Sequence, residues 1–125
     1  MDARALARLA RRAARAEDAL KTMTDEAEAR LGLVAHSACS IEALMAEPPE
    51  IALRLIASAV ANVGGRDARR LGLEKIEALA EAIAEAHRKR ETFSANVGRA
   101  CVNLSRKGRL EVEPEPPRRG PGGKG

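Results

Sequence analysis

From Asp2 to Leu31 the chain contains neither proline nor glycine, and this uninterrupted stretch constrains the fold more than any other feature. Within it Leu6, Leu9, Ala13, Ala16, Leu20, Met23 and Ala27 recur at alternating three- and four-residue steps. That spacing lines them along one side of a single long α-helix, which Gly32 is placed to end as a C-cap. The stripe is narrow, as in a helix packed against one neighbour. The helix is expected to begin abruptly, without a cap.

The arginines of this helix fall mostly off the stripe. Residues 1–15 hold Arg4, Arg8, Arg11, Arg12 and Arg15 against Asp2 alone. Residues 16–63 are acidic on balance, residues 64–109 are basic again, and the remainder is neutral, so the overall charge of +4 conceals two basic regions around an acidic middle. Charge segregated in this way points to a polyanionic partner. It is also what an Arg- and Ala-rich composition leaves on any solvated helix face.

Further along, Ser40 fits the N-cap of a short helix from Ile41 to Ala46, stopped by Pro48. Pro49 suits the first position of the next helix, where its missing N–H costs nothing. That helix carries Ile51, Leu53, Leu55, Ile56, Ala59, Val60 and Val63 on more than one face, and is expected to be the most buried element, ending at Gly64 and Gly65. A basic loop, Arg66 to Arg70, leads to a fourth helix from Leu73 to His87, with Leu73, Ile76, Leu79, Ala80 and Ile83 as its inward stripe. From Asn96 the period changes to two. Asn96 to Leu104 reads as one strand with Ala100, Val102 and Leu104 on one face, Arg106, Lys107 and Gly108 form a tight turn, and Leu110 and Val112 alternate on a return strand. The expected fold is mainly α, about four helices followed by a small C-terminal β-hairpin. A hairpin alone is marginal in water, so it must pack on the helices or on a partner. From Pro114 the sequence PEPPRRGPGGKG cannot build a core.

Composition excludes several classes of function. Hydrophobic residues make up 45%, but Phe93 is the only aromatic one, so base stacking contributes little and the core is Ala- and Leu-rich. Cys39 and Cys101 are too few for a disulfide framework or a metal site, and no apolar run reaches the length of a membrane span. The arginine-bearing start has no apolar core of the kind a signal peptide needs. A cytoplasmic protein is expected. Gly64-Gly65 lacks the strand–helix setting of a phosphate-cradling loop. His36 and His87 form no Ser/His/Asp set, and the row Glu74, Glu77, Glu81 and Glu85 has the look of a solvated face. No catalytic or metal-binding residue is assigned.

The order of elements resembles the C-terminal half of tRNA(Ile)-lysidine synthase, in the version found in α-proteobacteria. Pro49-Glu50-Ile51-Ala52-Leu53-Arg54-Leu55-Ile56, ending at Gly64-Gly65, is similar to that family's "PEEIALRLL…VGG" helix. Leu73-Glu74-Lys75-Ile76-Glu77-Ala78-Leu79 resembles its "L-x-K-L-E-x-L" helix. Val97-Gly98 with Ala100-Cys101-Val102, then Gly108-Arg109-Leu110, resembles its terminal hairpin. Two departures stand out: Arg66-Asp67-Ala68-Arg69-Arg70 replaces the Pro-Pro-Arg of many members, and Arg99 stands where the hairpin has a second glycine.

The resemblance implies an enzyme that adenylates the wobble cytidine of an isoleucine tRNA with ATP and then lets lysine displace AMP. It implies no cofactor in this chain, since ATP and Mg belong to an N-terminal PP-loop domain whose SGGxDS-type motif does not occur here. On that reading residues 1–32 form a basic linker helix, 33–90 a helical substrate-binding core, 91–113 the hairpin and 114–125 a disordered tail. The expected partners are tRNA and the catalytic domain, with no membrane and with homodimerisation open. Guanidinium groups on rigid helices match phosphate tracks, so Arg8, Arg11, Arg12, Arg15, Arg66, Arg69, Arg70, Arg88, Lys89 and Arg90 are the expected tRNA-binding residues. The alternative is a non-enzymatic helical module that binds a partner protein through the stripe of the first helix.

Overall fold

Asp2 starts the first helix: its carboxylate accepts the Ala5 N–H at 2.7 Å, so this end is capped, contrary to the abrupt start expected. The computed structural model describes residues 2–116. Helix α1 spans Ala3–Leu31 and ends on Gly32, whose left-handed backbone (φ 71°) lets its N–H donate to the Glu28 carbonyl. The Glu28 carboxylate then accepts the N–H groups of Val34 and Ala35, both at 2.9 Å. These are donors that the one-turn helix α2, Leu33–His36, cannot satisfy internally. After it come strand β1, Ala38–Ser40, and helix α3, Ile41–Met45, with Ser40 as its N-cap.

Helix α4, Pro49–Gly64, carries Pro49 in its first turn and is the centre of the molecule. Ile51, Ala52, Leu55, Ile56, Ala59 and Val60 are buried, and α1, α2, α3, a short helix α5 (Arg66–Arg69), α6 (Leu73–Arg88) and the sheet all pack against it. The α6 stripe buries Ile76, Leu79, Ile83 and Ala86 but leaves Leu73 exposed, because Leu73 is the first residue of the helix and overhangs the core.

All four expected helices are present, and α2 and α5 add two single turns. The fold class holds: mainly α with a small β part. That β part is larger than a hairpin. Strands β2 (Phe93–Val97), β3 (Ala100–Leu104) and β4 (Arg109–Pro114) form an antiparallel meander, and β1 adds to β4, giving the order β1-β4-β3-β2. The run expected as one strand is broken at Gly98-Arg99, both with positive φ (52° and 68°), in a two-residue hairpin turn. Ala100, Val102, Leu104, Leu110 and Val112 bury one face against the helices, as their alternation predicts. Val102 faces Val112 and Leu104 faces Leu110 across the ladder. The strand continues to Pro114, and residues 117–125 of the expected tail lie outside the described residues.

Candidate nucleic-acid interface

Arg8, Arg11, Arg12 and Arg15 stand at i, i+3, i+4 and i+7 on α1 and therefore share an arc of roughly 100° at 3.6 residues per turn. All four are exposed, and none forms an ion pair among the described residues. The adjacent apolar stripe packs only in its second half. Ala27 is buried and Leu20 half-buried, whereas Leu6, Leu9 and Met23 are 53%, 55% and 44% exposed. The helix is fixed to α4 by the Arg54 guanidinium, which meets both Glu17 carboxylate oxygens at 2.8 and 2.9 Å and also reaches Glu50. This pairing holds the Glu17 carboxyl below its usual range, through the hydrogen bonds from Arg54 and then its charge. A second ion pair, Arg30 to Glu47 at 2.9 Å, ties the C-terminal end of α1 to the residues just before α4.

The other two basic groups lie at opposite ends of α6, a helix of 16 residues and so about 24 Å long. They do not merge, but a turn of the sheet joins each. At the first end, Arg66, Arg69 and Arg70 are exposed on and after α5. The β2–β3 turn reaches them so closely that a Cβ on Gly64 would lie 2.1 Å from the Gly98 carbonyl oxygen, and one on Gly98 would lie 2.5 Å from the Ala68 Cα. Arg99 of that turn pairs with Asp67. The Cβ position of Gly64 is therefore occupied by the backbone of the β2–β3 turn, whereas that of Gly65 faces open space.

At the second end, Arg88 and Lys89 share the Glu85 carboxylate. The hydrogen bond from Arg88 lowers the Glu85 pKa and raises that of Arg88. Here the β3–β4 turn contributes Arg106 and Lys107, which together with His87, Arg88 and Arg90 line a cleft of about 340 Å³. Glu42 and Glu91 lie on its wall. In the sequence Arg106 and Lys107 read only as part of a turn, and Arg99 only as a departure from a motif. Nothing in the one-dimensional pattern places a hairpin tip beside a helix end. The Cys39 thiol is pushed up to about 11, first by burial and then by the Glu28 charge, so it is not an activated nucleophile. Among the described residues no group of three or more His, Cys, Asp or Glu side chains could hold a metal, and no helix is long and apolar enough to cross a membrane.

The described residues thus form a mainly helical module with basic groups at both ends of α6. Sequence comparison gives its relatives. The chain is 37% identical to the tRNA(Ile)-lysidine synthase of Rhodopseudomonas palustris over 95% of its own length. It is 34% identical to that of Bradyrhizobium sp. over 94%, and 40% identical to that of Methylobacterium nodulans over 91%. It covers only 36%, 37% and 35% of those proteins, about a third of each. No protein-family model and no solved structure matches. The resemblance carried by the α4, α6 and hairpin motifs therefore holds: by sequence, the chain is related to the tRNA(Ile)-lysidine synthases in the way expected of their C-terminal region.

Proposed function

We propose that this chain is the tRNA-holding part of a cytoplasmic tRNA(Ile)-lysidine synthase, gripping the substrate while lysine is joined to the wobble cytidine elsewhere in the enzyme. The observation that carries this reading is the similarity of nearly the whole chain to about a third of three such synthases. The exposed arginines of α1 and the basic groups at both ends of α6 support it, because rows of guanidinium groups on rigid elements suit a phosphate backbone. With no Trp or Tyr and only Phe93, the grip rests on phosphate and shape rather than on stacked bases. ATP and Mg are assigned to the part of the relatives that this chain does not cover.

Titration of the 125-residue chain with labelled tRNA at several salt concentrations tests this. Binding should weaken steeply with salt, and replacing Arg8 and Arg11 with Ala should flatten the slope by roughly 0.7–0.9 for each phosphate no longer neutralised. Binding that is absent, or unchanged in both variants and salt, would remove the reading. Exposed Leu6, Leu9 and Met23 favour a second reading, in which α1 binds a partner protein or another copy of the chain. Concentration-dependent self-association without RNA binding, seen by sedimentation, would give that reading the lead.

A further inference from the structure

Arg90 sits where a glycine would be the easier choice. Helix α6 ends in a Schellman motif: the Glu91 N–H donates to the Ala86 carbonyl at 2.8 Å, and the Arg90 N–H donates to the His87 carbonyl at 3.0 Å. The residue between these two bonds must be left-handed, and Arg90 adopts φ 57° to meet that demand. A side chain at such a φ is strained relative to glycine, and glycine is the usual occupant of this position. A long cationic side chain kept there at a cost to stability is best explained by what it faces.

It faces the cleft between the α6 C-terminus and the β3–β4 turn. Arg88 is committed to Glu85, but Arg90, Arg106 and Lys107 form no ion pair among the described residues. Three uncommitted cations around a cleft of about 340 Å³ exceed the two carboxylates on its wall, Glu42 and Glu91, so the site favours an anion. The carboxylates discriminate among anions. They accept hydrogen bonds and donate none, so beside a bound phosphate they suit a neighbouring hydroxyl donor, which in a nucleic acid is the ribose 2′-OH. The helix end and the turn set the Cα positions of the three cations on ordered backbone, so the ordering cost of binding is confined to their side chains.

From this we infer that the cleft between the α6 C-terminus and the β3–β4 turn holds one ribose-phosphate step of the RNA backbone, with Arg90, Arg106 and Lys107 on the phosphate and Glu42 or Glu91 on the 2′-hydroxyl. The inference rests on the proposed tRNA-holding role and names a seat for part of that grip. Arg106 and Lys107 were not among the residues read as tRNA-binding from the sequence.

The test compares the parent chain with Arg90→Gly, Arg90→Lys and the double variant Arg106→Ala/Lys107→Ala, using labelled tRNA and a DNA oligonucleotide of matching hairpin sequence. Arg90→Gly relieves the backbone, so its Tm should equal or exceed the parent's while its tRNA affinity falls about three- to tenfold and its salt slope drops by roughly 0.7–0.9. Arg90→Lys should keep most of the affinity. The double variant, at turn positions with no special backbone demand, should lose at least as much as Arg90→Gly, and the parent should prefer RNA to DNA. Parental affinity and slope in both Arg90→Gly and the double variant would overturn the inference, while weakened binding in the Arg8→Ala/Arg11→Ala chain would leave the tRNA-holding role standing. Equal binding of RNA and DNA overturns the assignment of the carboxylates to a 2′-hydroxyl. A parent chain that binds no tRNA overturns both readings together.

Discussion

Gly64 shows how a single atom sets the geometry around one basic end. An Ala there would gain about 1 kcal/mol of helix propensity, yet its methyl would lie 2.1 Å from the Gly98 carbonyl oxygen and 2.8 Å from the Ala68 Cβ. Backbone cannot yield as a flexible side chain does, so Gly64→Ala should lower stability by about 1–3 kcal/mol. A thermal melt with an unchanged or raised Tm would contradict the close approach of α4 to the β2–β3 turn. The cysteines make a second contrast. Cys39 is 6% exposed and its thiol is pushed from about 9 to about 11, whereas Cys101 is partly exposed on the outer side of the sheet. A thiol reagent at neutral pH should label Cys101 well before Cys39. Because the folded chain holds the Cys39 proton more tightly than the unfolded chain, the unfolded state releases it first as pH rises. Stability should therefore fall between about pH 9 and pH 11, and Cys39→Ala should lessen that fall.

Among the elements, α1 divides into two parts with different roles. Its C-terminal half is bound by Ala27 in the core, by Glu17 on Arg54 and by Arg30 on Glu47. Residues 6–19 are exposed throughout. Leu6→Ala and Leu9→Ala should change the stability of the chain by less than about 0.5 kcal/mol, as surface replacements do. Leu55→Ala, in the centre of α4, should cost about 2–5 kcal/mol. Amide hydrogen exchange checks the same division: protection in residues 6–16 should be far lower than in α4. Protection equal to that of α4 would mean that another surface covers the α1 stripe in solution. The periodicity of α1 was legible because regular spacing is a property of the chain alone. How far along its length a neighbour reaches was not, since the stripe looks the same whether or not anything packs on it.

At the scale of the whole molecule, helices and sheet share one core. Leu33, Ile41, Leu55, Ile56, Ile83, Val102 and Leu110 belong to a single buried cluster, and the sheet rests on α4 through β3 and β4. Leu110→Ala and Leu55→Ala should therefore lower the same unfolding transition, with helical circular dichroism and the methyl resonance of Val102 moving together. Separate transitions would show that the sheet folds on its own. The amino-acid sequence determined by itself what local pattern can carry: the four longer helices, the caps at Gly32 and Ser40, the helix start at Pro49, the inward faces of β3 and β4, and the motifs that resemble those of the lysidine synthases. Tertiary structure alone decided the rest. Three residues, Ala38–Ser40, are too few to show a period and become a strand only because β4 offers them an edge. The turn at Gly98-Arg99 divides what reads as one strand, because the second left-handed position is occupied by an arginine rather than the glycine that marks such turns. Arg99, Arg106 and Lys107 join the basic ends of α6 for the same reason: folding brings together residues far apart in the chain, and proximity of that kind leaves no periodic trace in the sequence.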